Sequence, residues 1–504
     1  MLKIIDNFLN KITMYKLILY YLVAIIFVAF VLCLFGVLSY SPLALLFSTF
    51  FILTICFVFN WLFAWAFNAP SNNESIYITA LILVLIIAPI SNPTDLYFFS
   101  LAFWASVLAM ASKYLLAIKK KHIFNPAAIA LAITALALNQ SASWWVGTSV
   151  LAPVVIIGGL LIVKKIARFD LLLSFLVVAL PLVIYSFMIH QVSFSQSLWM
   201  TLTGTAVLFF AFVMLTEPLT TPPTRLSRIL YGIFTGLLFW PALHVGNIYI
   251  TPIYALVLGN LLSYLLSPKQ KLVLTLKKVI HSAPDIYDFI FNSDQKLKFK
   301  AGQYLEWTID GDGADSRGNR RYFTIASSPT EDVIALAVRF PEQPSTFKQR
   351  LLKLKVGDTI LAGQLAGDFV LPKDTIKKIV LIAGGIGITP YYSMIKNTID
   401  TGEKRDIVLL YSNKKSIDAI YKFLWDEAKE KIGLKTIYAV TDSADPAYTG
   451  RLTKEMIQKE IPDYLERYFY LSGPNNLVTS FDEILCSLGI KRSHIKKDYF
   501  PGFV

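Results

Sequence analysis

The chain has 504 residues, 55% of them hydrophobic, with a mean hydropathy of +0.56 and a formal charge of +13. That length exceeds one ordinary domain, and the apolar residues crowd before position 267, which excludes a protein that is soluble throughout. Three cysteines (Cys33, Cys56 and Cys486) and no CxxC pair exclude a disulfide framework and a four-thiolate iron–sulfur centre.

In chain order, ten membrane spans are expected: roughly 16–38, 43–67, 75–91, 95–112, 124–138, 145–163, 171–189, 198–216, 229–243 and 249–267. The first is read as a span and not a removed signal peptide, because no small-residue cleavage site follows it. With a cytoplasmic N-terminus, the cytoplasmic turns hold Lys113, Lys119, Lys120, Lys121, Lys164, Lys165, Arg168, Arg225 and Arg228. The opposite turns near 39–42, 91–94, 139–144, 190–197 and 244–248 hold no Lys or Arg, as the positive-inside rule requires. Both termini are therefore expected in the cytoplasm of a multi-pass cell-membrane protein. The membrane half carries twelve Lys and Arg against five Asp and Glu. A face against anionic lipid accounts for that excess; no basic stripe interleaved with aromatics points to nucleic acid. Two sets of five spans would have inverted topology, and "FNPAAIALAITAL" and "YITPIYALVLGNL" occupy the fifth and tenth places with a proline at each entry.

Charge density rises after residue 268. Short alternating stretches, "KLVLTLKKVI", "IYDFIFN", "QYLEWTID" and "VIALAVRF", predict a small antiparallel barrel over 268–373. From 374 to 504, apolar strands ("KKIVLIAG", "DIVLLYS", "KTIYAVT", "RYFYLSG") alternate with helical patterns, which predicts a parallel sheet wrapped by helices. The chain is thus expected to divide into a membrane domain, 1–267, a barrel and an α/β domain.

In "RRYFTIASSP", Arg321 offers a planar fork to a pyrophosphate. On a strand Arg321 and Phe323 share one side and Tyr322 and Thr324 the other. The glycine turn of "KIVLIAGGIGITPYYSMI" closes a strand and opens a helix, an arrangement that receives phosphate on the helix N-terminus. Together these stretches resemble the ferredoxin–NADP reductase superfamily, whose flavin domain carries Arg-x-aromatic-Ser/Thr-x-x-Ser; here that pattern falls on Arg321, Phe323, Thr324 and Ser327. "EQPSTFKQRLLKLKVGD" resembles the family's second phosphate segment, and "AGQLAGDFVLP" its closing barrel strand, with Gln364 where a proline is usual. The resemblance implies FAD held by Arg321, Tyr322, Phe323, Thr324, Ser327, Arg339, Ser345, Thr346 and Phe347. In "KKDYFPGFV", Asp498, Phe500 and Phe503 stand where relatives end with an acid and aromatics, and one aromatic covers the flavin.

The same resemblance implies NADH or NADPH at Gly384, Gly385, Gly387, Thr389, Pro390, Ser412, Gly473 and Pro474. Thr324 and Ser472 are the implied catalytic pair; Ser472 replaces the cysteine of many relatives. Lys414 and Lys415 are placed to meet a 2′-phosphate, but surface lysines are commonly just solvated, so the nucleotide stays open. No metal site is expected.

Two reductase-linked membrane architectures compete. A haem-based ferric reductase or NADPH oxidase needs axial ligand pairs, and this half has only His122, His190 and His244, no two on one helix. "HIFNPAAIALAI", "WWVGTSVLAPVVIIGGLLIV" and "MLTEPLTTPPTRLSRILYGIFTGLL" instead resemble one family of membrane proteins, the RnfD type of the Rnf complex and the NqrB type of the sodium-translocating NADH:quinone reductase. The Asp-Gly-x-Ser-x-Ala-Thr sequence that carries covalent FMN in those relatives is missing, which leaves at most a non-covalent second flavin. Asn125, Glu217 and Thr220 are the polar residues to watch, since polar groups near lipid are costly; helix capping is their plain alternative. The expected protein is a membrane flavin oxidoreductase that moves electrons from cytoplasmic NAD(P)H to a quinone or extracytoplasmic acceptor. Ion coupling and partner electron-transfer subunits stay open. A transporter with a regulatory reductase domain is the rival from another class.

Overall fold

The computed structural model describes residues 5, 8–9, 12–67, 73–118, 121–267, 272–309, 319–442, 450 and 452–498. The chain divides into two compact units, 1–269 and 270–504.

The first unit is helical: α1 (Met14–Leu34), α2 (Pro42–Ala66), α3 (Asn73–Ile86), α4 (Leu96–Leu115), α5 (Pro126–Ala137), α6 (Ala152–Ile166), α7 (Phe169–Ile189), α8 (Phe194–Thr203), α9 (Arg225–Leu238) and α10 (Pro252–Leu266). Among the described residues, α1, α2, α4 and α7 are long and apolar enough to cross a membrane. A fifth span results if α8 is joined to Val207–Met214 across a 54° bend. Helices α5 and α10 have 12 and 15 residues, too short alone for ~30 Å of hydrocarbon.

Ten spans were expected; among the described residues only these four or five reach spanning length, and two of the expected spans differ further. The helix placed at 145–163 begins only at Ala152, because the chain before it caps another helix. Ser143 and Trp144 N–H donate to Ile86 O at 2.9 and 3.1 Å, and the Trp145 indole donates to Val84 O at 2.7 Å. These contacts satisfy the carbonyls at the end of α3, which lipid cannot do. The expected 198–216 span breaks at Gly204 and resumes through a π-turn at Phe210–Met214.

The packing pattern repeats. Helix α2 packs on α3 and α4, α1 on α3, and α4 on α5. Five places on, α7 packs on α8 and α9, α6 on the Val207–Met214 continuation of α8, and α9 on α10. Helices α1 with α6, and α5 with α10, join equivalent positions. The helix-to-helix contacts of the first five helices thus recur in the second five.

The second unit begins with six strands: β1 (Leu272–Ala283), β2 (Ile286–Ser293), β3 (Tyr304–Thr308), β4 (Arg320–Thr324), β5 (Ile334–Arg339) and β6 (Thr359–Ala366). A short helix, α11 (Thr346–Lys353), lies between β5 and β6. The sheet is antiparallel, in the order β4-β3-β6-β1-β2-β5. Its edges meet where Ala326 N–H, just past β4, donates to Ala335 O of β5 at 2.9 Å, so the sheet closes into a barrel. Leu274, Leu276, Phe289, Phe291, Trp307 and Leu336 fill it. Gln364, in the place of the family's usual proline, lies at a left-handed φ of +52° where β6 bulges against β3.

Five parallel strands follow: β7 (Ile379–Gly384), β8 (Ile407–Asn413), β9 (Lys435–Val440), β10 (Tyr468–Ser472) and β11 (Ile495–Lys497), in the order β9-β8-β7-β10-β11. Helices α12 (Thr389–Thr401), α13 (Lys422–Ile432), α14 (Lys454–Glu460) and α15 (Asn475–Ser487) connect them. Strand β7 is apolar and buried on both faces, as a central parallel strand must be. The order reverses between β7 and β10, and the carboxyl ends of strands at such a reversal flank the ligand crevice of open α/β sheets.

Candidate functional site

On β4, Arg321 pairs with Trp307 and Phe323 with Leu305 across the ladder, so both share one face. Tyr322 and Thr324 take the other, where the Tyr322 hydroxyl donates to Glu306 Oε2 at 2.9 Å and the ring meets Tyr304 edge-on. On the first face, the Arg321 guanidinium lies 5.4 Å from the Phe347 ring centre, and Phe323 lies 5.9 Å from it. Phe347 belongs to the first turn of α11, whose N-cap is Ser345. Ser345 Oγ accepts from Lys348 N–H at 3.4 Å, and Thr346 opens the helix. A buried guanidinium, an aromatic ring and a helix N-terminus thus converge from two separate stretches. That donor set fits the pyrophosphate and ring of a dinucleotide flavin.

Ser327 is committed to the barrel: its Oγ accepts from Ala335 N–H at 3.1 Å and its carbonyl from the Ser393 hydroxyl at 2.7 Å. The serine of the motif therefore ties the barrel to α12. Arg339 closes β5 and pairs with Asp285 at 3.1 Å and with Asp418 at 3.4 Å. Phe500 and Phe503 lie outside the described residues.

The glycine turn follows β7. A Cβ on Gly387 would fall 2.5 Å from the Gly473 backbone, and one on Gly385, at φ +53°, would fall 3.2 Å from Arg339 Nη1. The Gly384–Gly387 and Ser472–Pro474 loops are thus in backbone contact at the strand-order reversal, and Gly387 is required by this packing before any ligand is considered. Thr389 and Pro390 begin α12, with Pro390 in the first turn where a missing N–H costs nothing. Ser412 sits beside Gly384 in the β7–β8 register.

The Ser472 hydroxyl donates to Asp498 Oδ2 at 2.9 Å, and burial of that carboxyl pushes it up to about 7. Sequence reasoning missed the polar seam that joins barrel and nucleotide domain through Asp285, Asp288, Asp418 and Tyr421. Its one visible signal was Asp288, a carboxylate inside the apolar run "IYDFIFN".

The comparisons with known proteins accord with this geometry. The Oxidoreductase NAD-binding domain family matches residues 381–483. Oxidoreductase NAD-binding domain-containing protein 1 of Pongo abelii is 31% identical over 232 residues, covering 40% of this chain and 71% of that protein. The chain belongs to the NAD-binding oxidoreductases of the ferredoxin-reductase type. The glycine betaine monooxygenase reductase subunit of Chromohalobacter salexigens is 28% identical over 235 residues, 44% of this chain, and the match spans only 62% of that protein. A solved cytochrome P450 reductase of Amycolatopsis, 26% identical, covers 45% of this chain and 69% of its own, with a TM-score of 0.42. In the helical unit the NQR2, RnfD, RnfE family matches residues 146–271.

In that helical unit, the Asn125 amide donates to Glu217 Oε2 at 2.8 Å and the Thr220 hydroxyl approaches the same oxygen at 3.4 Å. Asn125 N–H donates to Asn260 Oδ1 at 2.8 Å, and Asn260 Nδ2 donates to the Tyr231 hydroxyl at 3.0 Å. The three residues singled out from the sequence therefore meet. Asn125 does cap α5, through Ala128 N–H at 3.0 Å, and also reaches across to Glu217. Asp170, by contrast, is neutralised by Arg228 at 2.6 Å.

Proposed function

We propose that the protein is a cell-membrane NAD(P)H oxidoreductase, which takes electrons from NAD(P)H at the 270–504 unit and delivers them to an acceptor in or across the membrane. A quinone, or a flavin-type carrier such as a non-covalent second flavin in the helical unit, suits the acceptor role. What supports this reading is that one chain joins an NAD-binding oxidoreductase domain to a helical unit that matches the NQR2, RnfD, RnfE family.

FAD, when bound, converts the two-electron chemistry of the nicotinamide into single-electron steps. The chain's own residues hold and orient. Arg321 and the first turn of α11 offer charge and N–H donors to a pyrophosphate, and the aromatic rings of Phe323 and Phe347 border that place. The turn 384–387 and the start of α12 would hold the nicotinamide dinucleotide, and at the same strand ends Ser472 and Asp498 share a hydrogen bond. The charge pattern of the turns supports cytoplasmic termini, where nicotinamide nucleotides are found. The Glu217–Asn125 pair supports coupling to an ion, since an ionisable group inside a membrane unit is costly to keep.

Purified full-length protein tests the reading. It should carry FAD, lose its flavin colour on addition of NADH or NADPH, and turn over with a short-chain quinone. A colourless preparation that takes up no added FAD would refute the proposal; a reduced flavin that no quinone reoxidises would point to a different acceptor.

A further inference from the structure

A tyrosine that bridges the two parts of the reductase module adopts a backbone conformation that tyrosine rarely takes. Tyr421 has φ +64° and ψ +24°, in the left-handed region where a side chain with a Cβ is crowded. Such residues persist only where the surroundings hold them. Here the holding group comes from the barrel: the Tyr421 hydroxyl donates to Asp288 Oδ1 at 2.6 Å, and the Ser282 hydroxyl donates to the other oxygen. Asp288 is buried on β2, and its burial pushes the carboxyl above the usual range.

The other side of the ring reaches the nucleotide machinery. Tyr421 lies 4.5 Å from Tyr392, in the first turn of α12, directly after the glycine turn. The loop between β8 and α13 is tied a second time, because Arg339 of the barrel pairs with Asp418 and stands against Gly385. Two barrel groups, Asp288 and Arg339, thus hold one loop of the nucleotide domain, and that loop braces the start of the dinucleotide helix. No motif covers Tyr421, and its role is invisible in a linear sequence.

We propose that Tyr421 is a positioning residue for flavin reduction: clamped to Asp288, it sets the approach of the nicotinamide-binding turn to the flavin barrel. The proposal rests on the reductase reading above. Tyr421→Phe removes the hydrogen bond and leaves the ring. In full-length protein we expect unchanged FAD content, nicotinamide affinity altered no more than about twofold, and a limiting rate of flavin reduction roughly tenfold lower. Asp288→Ala, which removes the accepting oxygens, should give the same split, and the double variant no further loss, because both remove one contact. Amide exchange in 385–395 and 414–421 should quicken in Tyr421→Phe while exchange in β1 and β2 stays as it was.

A wild-type rate of flavin reduction in the variant overturns the proposal, as does a rate that falls only in step with lost FAD. If NAD(P)H reduces no flavin in the wild type, the functional reading falls, and amide exchange alone then decides whether the clamp exists. Unchanged exchange in 385–395 refutes it.

Discussion

The two units solve opposite solvent problems with the same covalent chain. In the reductase module the apolar residues are inside, around Trp307, Tyr391, Tyr470 and Trp425, and most charge is outside, Arg321 and Asp288 being buried exceptions. In the helical unit large apolar residues point outward: Phe35 is 79% exposed, Leu43 76% and Trp65 74%. Its interior holds Ser106, Asn125, Thr134, Thr235 and Asn260, all nearly or wholly inaccessible. Lipid receives the apolar surface, so burial there is no measure of hydrophobicity. The lesson concerns where function resides. In the module, polar atoms gather at strand ends and loops, where a soluble ligand arrives; in the helical unit they gather between helices.

The largest expected effect tests the module's loop contact. Gly387→Ala puts a Cβ into the Gly473 backbone, an overpacking of about 1–3 kcal/mol or more. Reduction of flavin by NAD(P)H, followed by stopped-flow absorbance, should fall at least tenfold, with FAD retained because Arg321 and α11 are untouched. Next is Arg321→Ala, which should weaken FAD binding by about 1.5–3 kcal/mol, the worth of a charged hydrogen bond. Flavin released per mole of purified protein reads this directly. Loss of nicotinamide binding without loss of FAD would overturn the assignment of β4.

The comparison is sharpened by Glu217→Gln, which keeps shape and removes charge inside the helical unit. Turnover with a soluble artificial acceptor should be unchanged, whereas turnover with a membrane quinone should fall about three- to tenfold. An equal fall in both assays would mean that the helical interior is structural only. The smallest effect concerns pH. Asp498 is raised in the folded protein, so it binds a proton that the unfolded chain releases above about pH 4. Its contribution to stability is full below that pH and is lost as pH rises through about 7. The Tm of wild type relative to Asp498→Asn should therefore decline between about pH 4 and 7.

Much was legible in the order of residues. The barrel strands, the parallel strands and the helix after the glycine turn follow from period-two and period-3.6 patterning and from the glycines. The alternation on β4 was legible for the same reason, since a strand sends neighbouring side chains to opposite faces. Less legible were α6 and α8. "WWVGTSV" reads as apolar span, but its first N–H groups pair with the carbonyls at the end of α3, a demand that only folded packing reveals. Glu217 was visible as a costly residue; its neighbours Asn260 and Tyr231 were not, because they lie in other helices.

The amino-acid order by itself determined the division into an apolar and a charged half, the strand and helix periods, and the glycine turn, since these depend on neighbours within a few residues. Tertiary structure alone decided that Gly387 answers to Gly473, that Arg321 meets Phe347, that the five-helix packing recurs, and that Tyr421 is held at a left-handed φ by Asp288. Those are contacts between segments distant in sequence, and their energies exist only once chain entropy has been overcome to bring the segments together.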